Sequence, residues 1–141
     1  MTDIMISNED IQFINMASKI TRSDILDCIV TDDKVVLIVK KGQLGVAIGY
    51  KAKNLERLRD LFKKNIKFVE FDEDKERFII NLCKPYQISK IELEGEGDSI
   101  VAKIEVKISD KSKIIGKGGH NIDLIRKLAQ RHHSIKDVQI K

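Results

Sequence analysis

The sequence is poor in the residues that mark several protein classes. It has one proline and eight glycines among 141 residues, with 42% hydrophobic and 34% charged side chains. That balance excludes collagen-like and mucin-like chains and wholesale disorder, and leaves enough apolar material for a packed core. No apolar run approaches the roughly 18 residues that span a bilayer, and the opening MTDIMISNED has neither the basic nor the apolar region of a secretory signal, so a cytoplasmic protein without membrane association is expected. Cysteine is scarce too. Cys28 and Cys83 lie in apolar segments without a CxxC pair or a histidine pair nearby, which argues against a disulfide framework or a zinc site and for two buried thiols. None of GxxxxGK[ST], GxSxG, HExxH or GxGxxG occurs, so no catalytic residue, cofactor or metal ligand is assigned and the chain is expected not to be an enzyme.

What the sequence does have is an internal repeat. AIGYKAKNLERLRDLF, from Ala47 to Phe62, aligns without gaps on IIGKGGHNIDLIRKLA, from Ile114 to Ala129, at a constant offset of 67. Gly49 falls on Gly116, Asn54 on Asn121 and Arg59 on Arg126. Leu55, Leu58 and Leu61 fall on Ile122, Ile125 and Leu128, a spacing that predicts one buried stripe on a helix in each copy.

The same order of elements surrounds each copy, helix, strand, strand, helix, helix, strand, so the chain reads as an α+β duplication. In the first, Ser7 with Asp10 suggests a capping box for a helix to about Ile20. Strands follow over Asp24–Val30 and Lys34–Val39, joined by Thr31-Asp32-Asp33, then a short helix over Gln43–Ile48, a helix over Lys53–Lys63 and a strand over Ile66–Phe71. In the second, Asp72 is expected to cap a helix over Glu73–Leu82 that Pro85 helps to stop. Strands over Ile88–Leu93 and Ile100–Val106 flank an acidic turn, Asp110 caps a short helix to Ile115, a helix runs after Gly116–Gly119 to about Arg131, and Ile135–Ile140 is the last strand. The offset there becomes 69, which places two extra residues near His132 and His133, expected in a surface turn. The domains are drawn at 1–72 and 73–141.

Gly116-Lys117-Gly118-Gly119 combines conformational freedom, close backbone approach and a full positive charge at the start of a helix, a combination suited to phosphate. Charge clusters around both copies. From Lys40 to Lys67 nine bases face two acids, a local +7, and from Lys107 to Arg131 seven face two, a local +5, whereas the whole chain carries only +4. Acidic residues gather instead in 70–76 and 92–98. The composition by itself indicates a polyanionic partner.

The loop, with Lys113-Ile114-Ile115 ahead of it, resembles the GxxG loop of the KH family of RNA-binding domains, and the element order is that of the type II, prokaryotic KH fold. The tandem pair resembles the NusA family of transcription termination and antitermination factors. The resemblance implies two type II KH domains, each a three-stranded sheet covered by helices, gripping single-stranded nascent RNA, with RNA polymerase as a second partner and a monomeric chain. A KH-type protein of ribosome assembly or translation is the alternative. It also implies contacts to RNA from Gly116, Lys117, Gly118, Gly119, Lys113, Ile115, His120 and Arg126, and from Gly49, Tyr50, Lys51 and Lys53, over an aliphatic floor that includes Ile114, Ile115 and Ile122. The first loop departs from the pattern. It reads Gly49-Tyr50-Lys51-Ala52, and alanine disfavours the positive φ that glycine allows. Either Tyr50 compensates by stacking on a base or that loop is mainly structural.

Overall fold

A computed structural model describes residues 8–141, which divide into two compact units at Asp72/Glu73. In the first, α1 (Asn8–Thr21) precedes β1 (Ile25–Val30) and β2 (Lys34–Val39), and α2 (Leu44–Ile48), α3 (Lys53–Phe62) and β3 (Asn65–Glu70) follow. The capping box proposed for α1 includes Ser7, outside the described residues. At the β1–β2 turn, the Thr31 hydroxyl donates to Asp33 Oδ1 and accepts from the Lys34 amide, both at 3.1 Å. This is how short polar side chains replace missing ladder bonds in a tight reversal. β2 lies between antiparallel β1 and parallel β3, with Leu37 opposite Cys28 and Phe68. Alternate β2 residues Val35, Leu37 and Val39 point with Cys28 and Ile66 into a core closed by Ala17, Ala47 and Leu58.

The second unit repeats the plan with α4 (Lys75–Cys83), β4 (Ile88–Glu94), β5 (Val101–Val106), α5 (Ile108–Ile115), α6 (His120–His133) and β6 (Asp137–Ile140). Again the middle strand has an antiparallel and a parallel neighbour, Ile104 pairing with Ile91 and Ile140. Both sheets even interrupt their antiparallel register at the start of the first strand, between Ile25 and Asp27 and between Ile88 and Lys90. The α+β class and the three-stranded sheet with helices expected of each KH domain are therefore present in both units. Cys28 and Cys83 are buried and not joined in a disulfide.

Four local expectations are corrected. Asp72 does not cap α4: Asp74 occupies that position, while Asp72 is buried, with the Lys41 ammonium 3.5 Å from its carboxylate. Asp110 lies in the first turn of α5, one hydrogen bond past the true cap, its amide donating to the Lys107 carbonyl at 2.9 Å. His132 and His133 end α6, with their rings 5.6 and 5.2 Å from that of Phe78 on α4. The two extra residues lengthen a helix, which closes at Ser134 in the left-handed region, where the Ile135 amide returns to the Ala129 carbonyl at 3.4 Å.

The fourth is Leu61, which is 51% exposed whereas Leu128 is buried. Three-residue steps fall short of a helical turn, so two of them carry a side chain about a third of a turn off the stripe begun by Leu55; Leu128 has the same phase on α6 and is covered there, so the phase permits the exposure of Leu61 without dictating it. Phe62, seven residues on, comes back to the stripe and packs edge-to-face on Phe13 of α1, with ring centroids 4.7 Å apart.

Candidate nucleic-acid interface

Both loops sit between a short helix and a longer one, and each begins on a glycine that no other residue could replace without movement. Gly116 adopts φ 78 and ψ 169, and a Cβ there would lie 2.8 Å from Asn121 Cβ and 3.0 Å from the Asn121 amide nitrogen. Gly49 adopts φ 82 and ψ 166, and its Cβ would meet Asn54 at 2.9 to 3.1 Å. The glycine is needed for its dihedrals and for the approach of the next helix. In each loop its amide donates back to the preceding helix, Gly116 to Ser112 O at 2.9 Å and Gly49 to Gly45 O at 3.0 Å. Its carbonyl accepts from the fourth loop residue, Gly119 or Ala52, at 3.1 Å.

The third and fourth positions are left-handed in both loops. Gly118 (φ 63) and Gly119 (φ 76) correspond to Lys51 (φ 52) and Ala52 (φ 58). The substituted loop therefore keeps the backbone of the glycine-rich one, although a left-handed non-glycine residue costs about 1–2 kcal/mol. The methyl of Ala52 is sterically tolerable, since a Cβ at the matching Gly119 would meet nothing within 4 Å.

A second device holds the shape. Asn121 Nδ2 donates to the Ile114 carbonyl at 2.7 Å, and Asn54 Nδ2 to the Val46 carbonyl at 3.2 Å, so an amide side chain from the following helix straps the end of the preceding one in both copies. Alignment placed these asparagines together without revealing their role; the available signal was an Asn five residues after the first loop glycine.

The side chains around this frame divide into presenters and supports. Lys113, Lys117 and His120 are exposed in the second unit, and Lys51, Lys53 and Tyr50 in the first. Among the described residues no carboxylate pairs with Lys113 or Lys117. The His120 imidazole folds over the loop, its Nε2 3.5 Å from where a Gly118 Cβ would stand. Of the three isoleucines expected to form an aliphatic floor, Ile114 and Ile122 are core residues and Ile115 is half-buried. Arg126 is engaged within its own unit. Its Nε donates to the Val138 carbonyl and approaches Asp137 Oδ1, both at 3.0 Å, and its Nη1 reaches Asp123 Oδ1 at 3.1 Å, so it fastens α6 to β6.

Two acidic side chains of β4 pair with lysines of the sheet. On β4, Glu92 takes the Lys90 ammonium at 2.9 Å, and Glu94 takes Lys103 of β5 at 2.9 Å. The bond from Lys90, then its charge and those of Lys141 and Lys103, hold the Glu92 carboxyl below the ordinary glutamate range. Among the described residues no group of three or more His, Cys, Asp or Glu could hold a metal ion, and no helix is long and apolar enough to cross a membrane.

Comparison with known proteins gives this geometry a lineage. Residues 75–141 match the family model of the NusA-like second KH domain, and residues 14–72 match that of the KH domain. The chain is 33% identical over 137 residues to the probable transcription termination protein NusA of Halobacterium salinarum, covering 97% of this chain and 98% of that one. It is 29% identical over 140 residues to the protein of the same name from Methanocaldococcus jannaschii, covering 99% of this chain and 76% of the relative. A crystal structure of the protein APE1850 superposes on it with a TM-score of 0.78 and 30% identity, over 96% of this chain and 100% of that one. Two matching domain models in tandem and a relative 33% identical over nearly its whole length establish that the chain belongs to the archaeal NusA-like family of paired KH domains.

Proposed function

We propose that the chain is an RNA-binding regulator of transcription termination, holding single-stranded nascent RNA against the loops of a first KH domain (1–72) and a second (73–141). The observation that carries this reading is the recurrence of one left-handed loop backbone, Gly49–Ala52 and Gly116–Gly119, each bordered by exposed cations. Backbone that a ligand can approach closely, with cations around it, is suited to contact with a sugar–phosphate chain. The relatives named as probable termination proteins support the setting. In this reading Gly116, Lys117, Gly118 and Gly119 clamp phosphates, Lys113 and His120 extend the contact, Ile115 offers apolar surface to a base, and Arg126 positions α6. Gly49, Tyr50, Lys51 and Lys53 form the counterpart. The protein acts as a monomeric cytoplasmic binder without catalytic turnover, with RNA polymerase as its second partner.

Lys117→Asp with Gly118→Asp places two negative charges in the clamp and leaves the core untouched. Titration of a short single-stranded RNA should show at least tenfold weaker binding, and unchanged affinity would refute the clamp. Neutralising about four phosphates gives a slope of log affinity against log salt near −3 for a single strand. Crosslinking in cells should recover nascent transcripts near termination sites; recovery of ribosomal RNA alone would move the protein to ribosome assembly.

A further inference from the structure

The two loops share a backbone and differ in what they display. At the repeat offset, Tyr50 occupies the place of Lys117 and Val46 the place of Lys113. The second loop thus presents ammonium groups at two positions where the first presents an aromatic and an aliphatic side chain. Both are unusually open, Tyr50 at 82% exposure and Val46 at 55%. The Lys51 ammonium lies 5.5 Å from the centre of the Tyr50 ring, within cation–π range.

We propose that Tyr50 is a stacking seat for one unpaired nucleobase, so that the first loop grips a base where the second grips phosphate; this rests on the RNA-binding reading above. Two observations carry it. The backbone is retained although Lys51 and Ala52 pay for left-handed dihedrals, and such strain persists where the surroundings impose a geometry. The ring stands in a basic segment, with Lys51, Lys53 and Arg57 exposed within seven residues of it, cations that face the strand's phosphates whether or not a base stacks on the ring. A phenol ring accepts any base by its π face, and that contact adds affinity without neutralising a phosphate. The division of labour leaves a signature, because phosphate contacts set the salt slope and stacking does not.

The test uses the full chain and a short single-stranded RNA, with affinity measured across a salt series. Tyr50→Ala should weaken binding about five- to hundredfold, the range of one lost stacking contact, with the salt slope unchanged and, because the ring is exposed, the melting temperature unmoved. Tyr50→Trp should restore the affinity that Tyr50→Ala loses. The chain contains no other tryptophan, so its fluorescence should be quenched by the RNA and much less by an abasic strand of equal length. Lys117→Ala should instead flatten the salt slope by about 0.7. If Tyr50→Ala binds like the parent while Lys117→Ala is weakened, the stacking seat is refuted and the RNA-binding reading survives. Equal quenching by abasic and ordinary strands, or a salt slope changed by Tyr50→Ala, also refutes stacking. If the parent protein binds no single-stranded RNA, the reading beneath falls as well.

Discussion

Asn121 and Ile114 are joined across the Gly116–Gly119 loop by a 2.7 Å hydrogen bond from the Asn121 side-chain amide to the Ile114 carbonyl. The bond satisfies one of the carbonyls that a helix C-terminus leaves without an intrahelical partner. Asn121→Ala should therefore lower stability by about 1 kcal/mol and weaken RNA binding by loosening the angle between α5 and α6. Asn54→Ala should cost less, because its bond to Val46 is longer, 3.2 Å, and more exposed. Urea unfolding of the two variants checks the order.

The loop glycines are not equivalent. At Gly116 an added methyl would meet Asn121 at 2.8 Å, and at Gly119 it would meet nothing within 4 Å. Gly119→Ala should lose only the left-handed penalty, about 1 kcal/mol, whereas Gly116→Ala adds a clash with α6 and should lose at least about 2 kcal/mol. The first loop is consistent with this ranking, since it keeps Gly49 and replaces the fourth glycine with Ala52.

Leu58 and Leu61 are three residues apart on α3, and one is fully buried while the other is half exposed. Leu58→Ala should cost about 2–5 kcal/mol as a cavity opens between α3 and the sheet. Leu61→Ala should stay within about 0.5 kcal/mol. Equal losses in thermal unfolding would contradict the helix phase described above.

Lys90 and Glu92 shift each other in opposite directions. Glu92 is held below its ordinary value, so its ion pair favours folding above the unfolded-state value and that contribution fades as pH falls through the lowered folded one. Lys90 is raised by the bond and charge of Glu92 and then by Glu105, so its contribution is present below the ordinary lysine value and is lost as pH climbs through the raised one. Both groups are open to solvent, and the stability at stake is small and screened by salt. Carboxyl NMR titration should give Glu92 a midpoint below the ordinary glutamate range, moving upward in Lys90→Met.

The duplicated plan was legible because glycine positions and apolar periodicity are sequence properties that survive without coordinates, and the loops with their basic borders followed from them. The errors have separate causes. Asp72 and Asp110 were read as caps because a short acidic side chain before a helix is a good cap wherever it stands, and only the backbone decides that Asp74 and Lys107 hold those places. Leu61 followed an apparent period of three that drifts around a helix of 3.6 residues per turn. The left-handed Lys51 and Ala52 run against intrinsic preference and were legible only through their alignment with glycines. The strap role of Asn54 and Asn121 depended on a carbonyl seven or eight residues away, and no spacing rule points to it.

In each unit the middle strand pairs in parallel with the last one, Lys34 meeting Asn65 and Val101 meeting Asp137. Parallel neighbours cannot be closed by a tight turn, and the chain between them is the pair of helices with the glycine loop at its bend. The β1–β2 and β4–β5 hairpins can form from local contacts, but each third strand must wait for some thirty residues to be folded back, and that closure entropy is lost before the pairing rewards it. The loop proposed to hold RNA is thus also the hinge on which the sheet is completed, so a variant that stiffens it in the wrong shape will show itself first as slow folding.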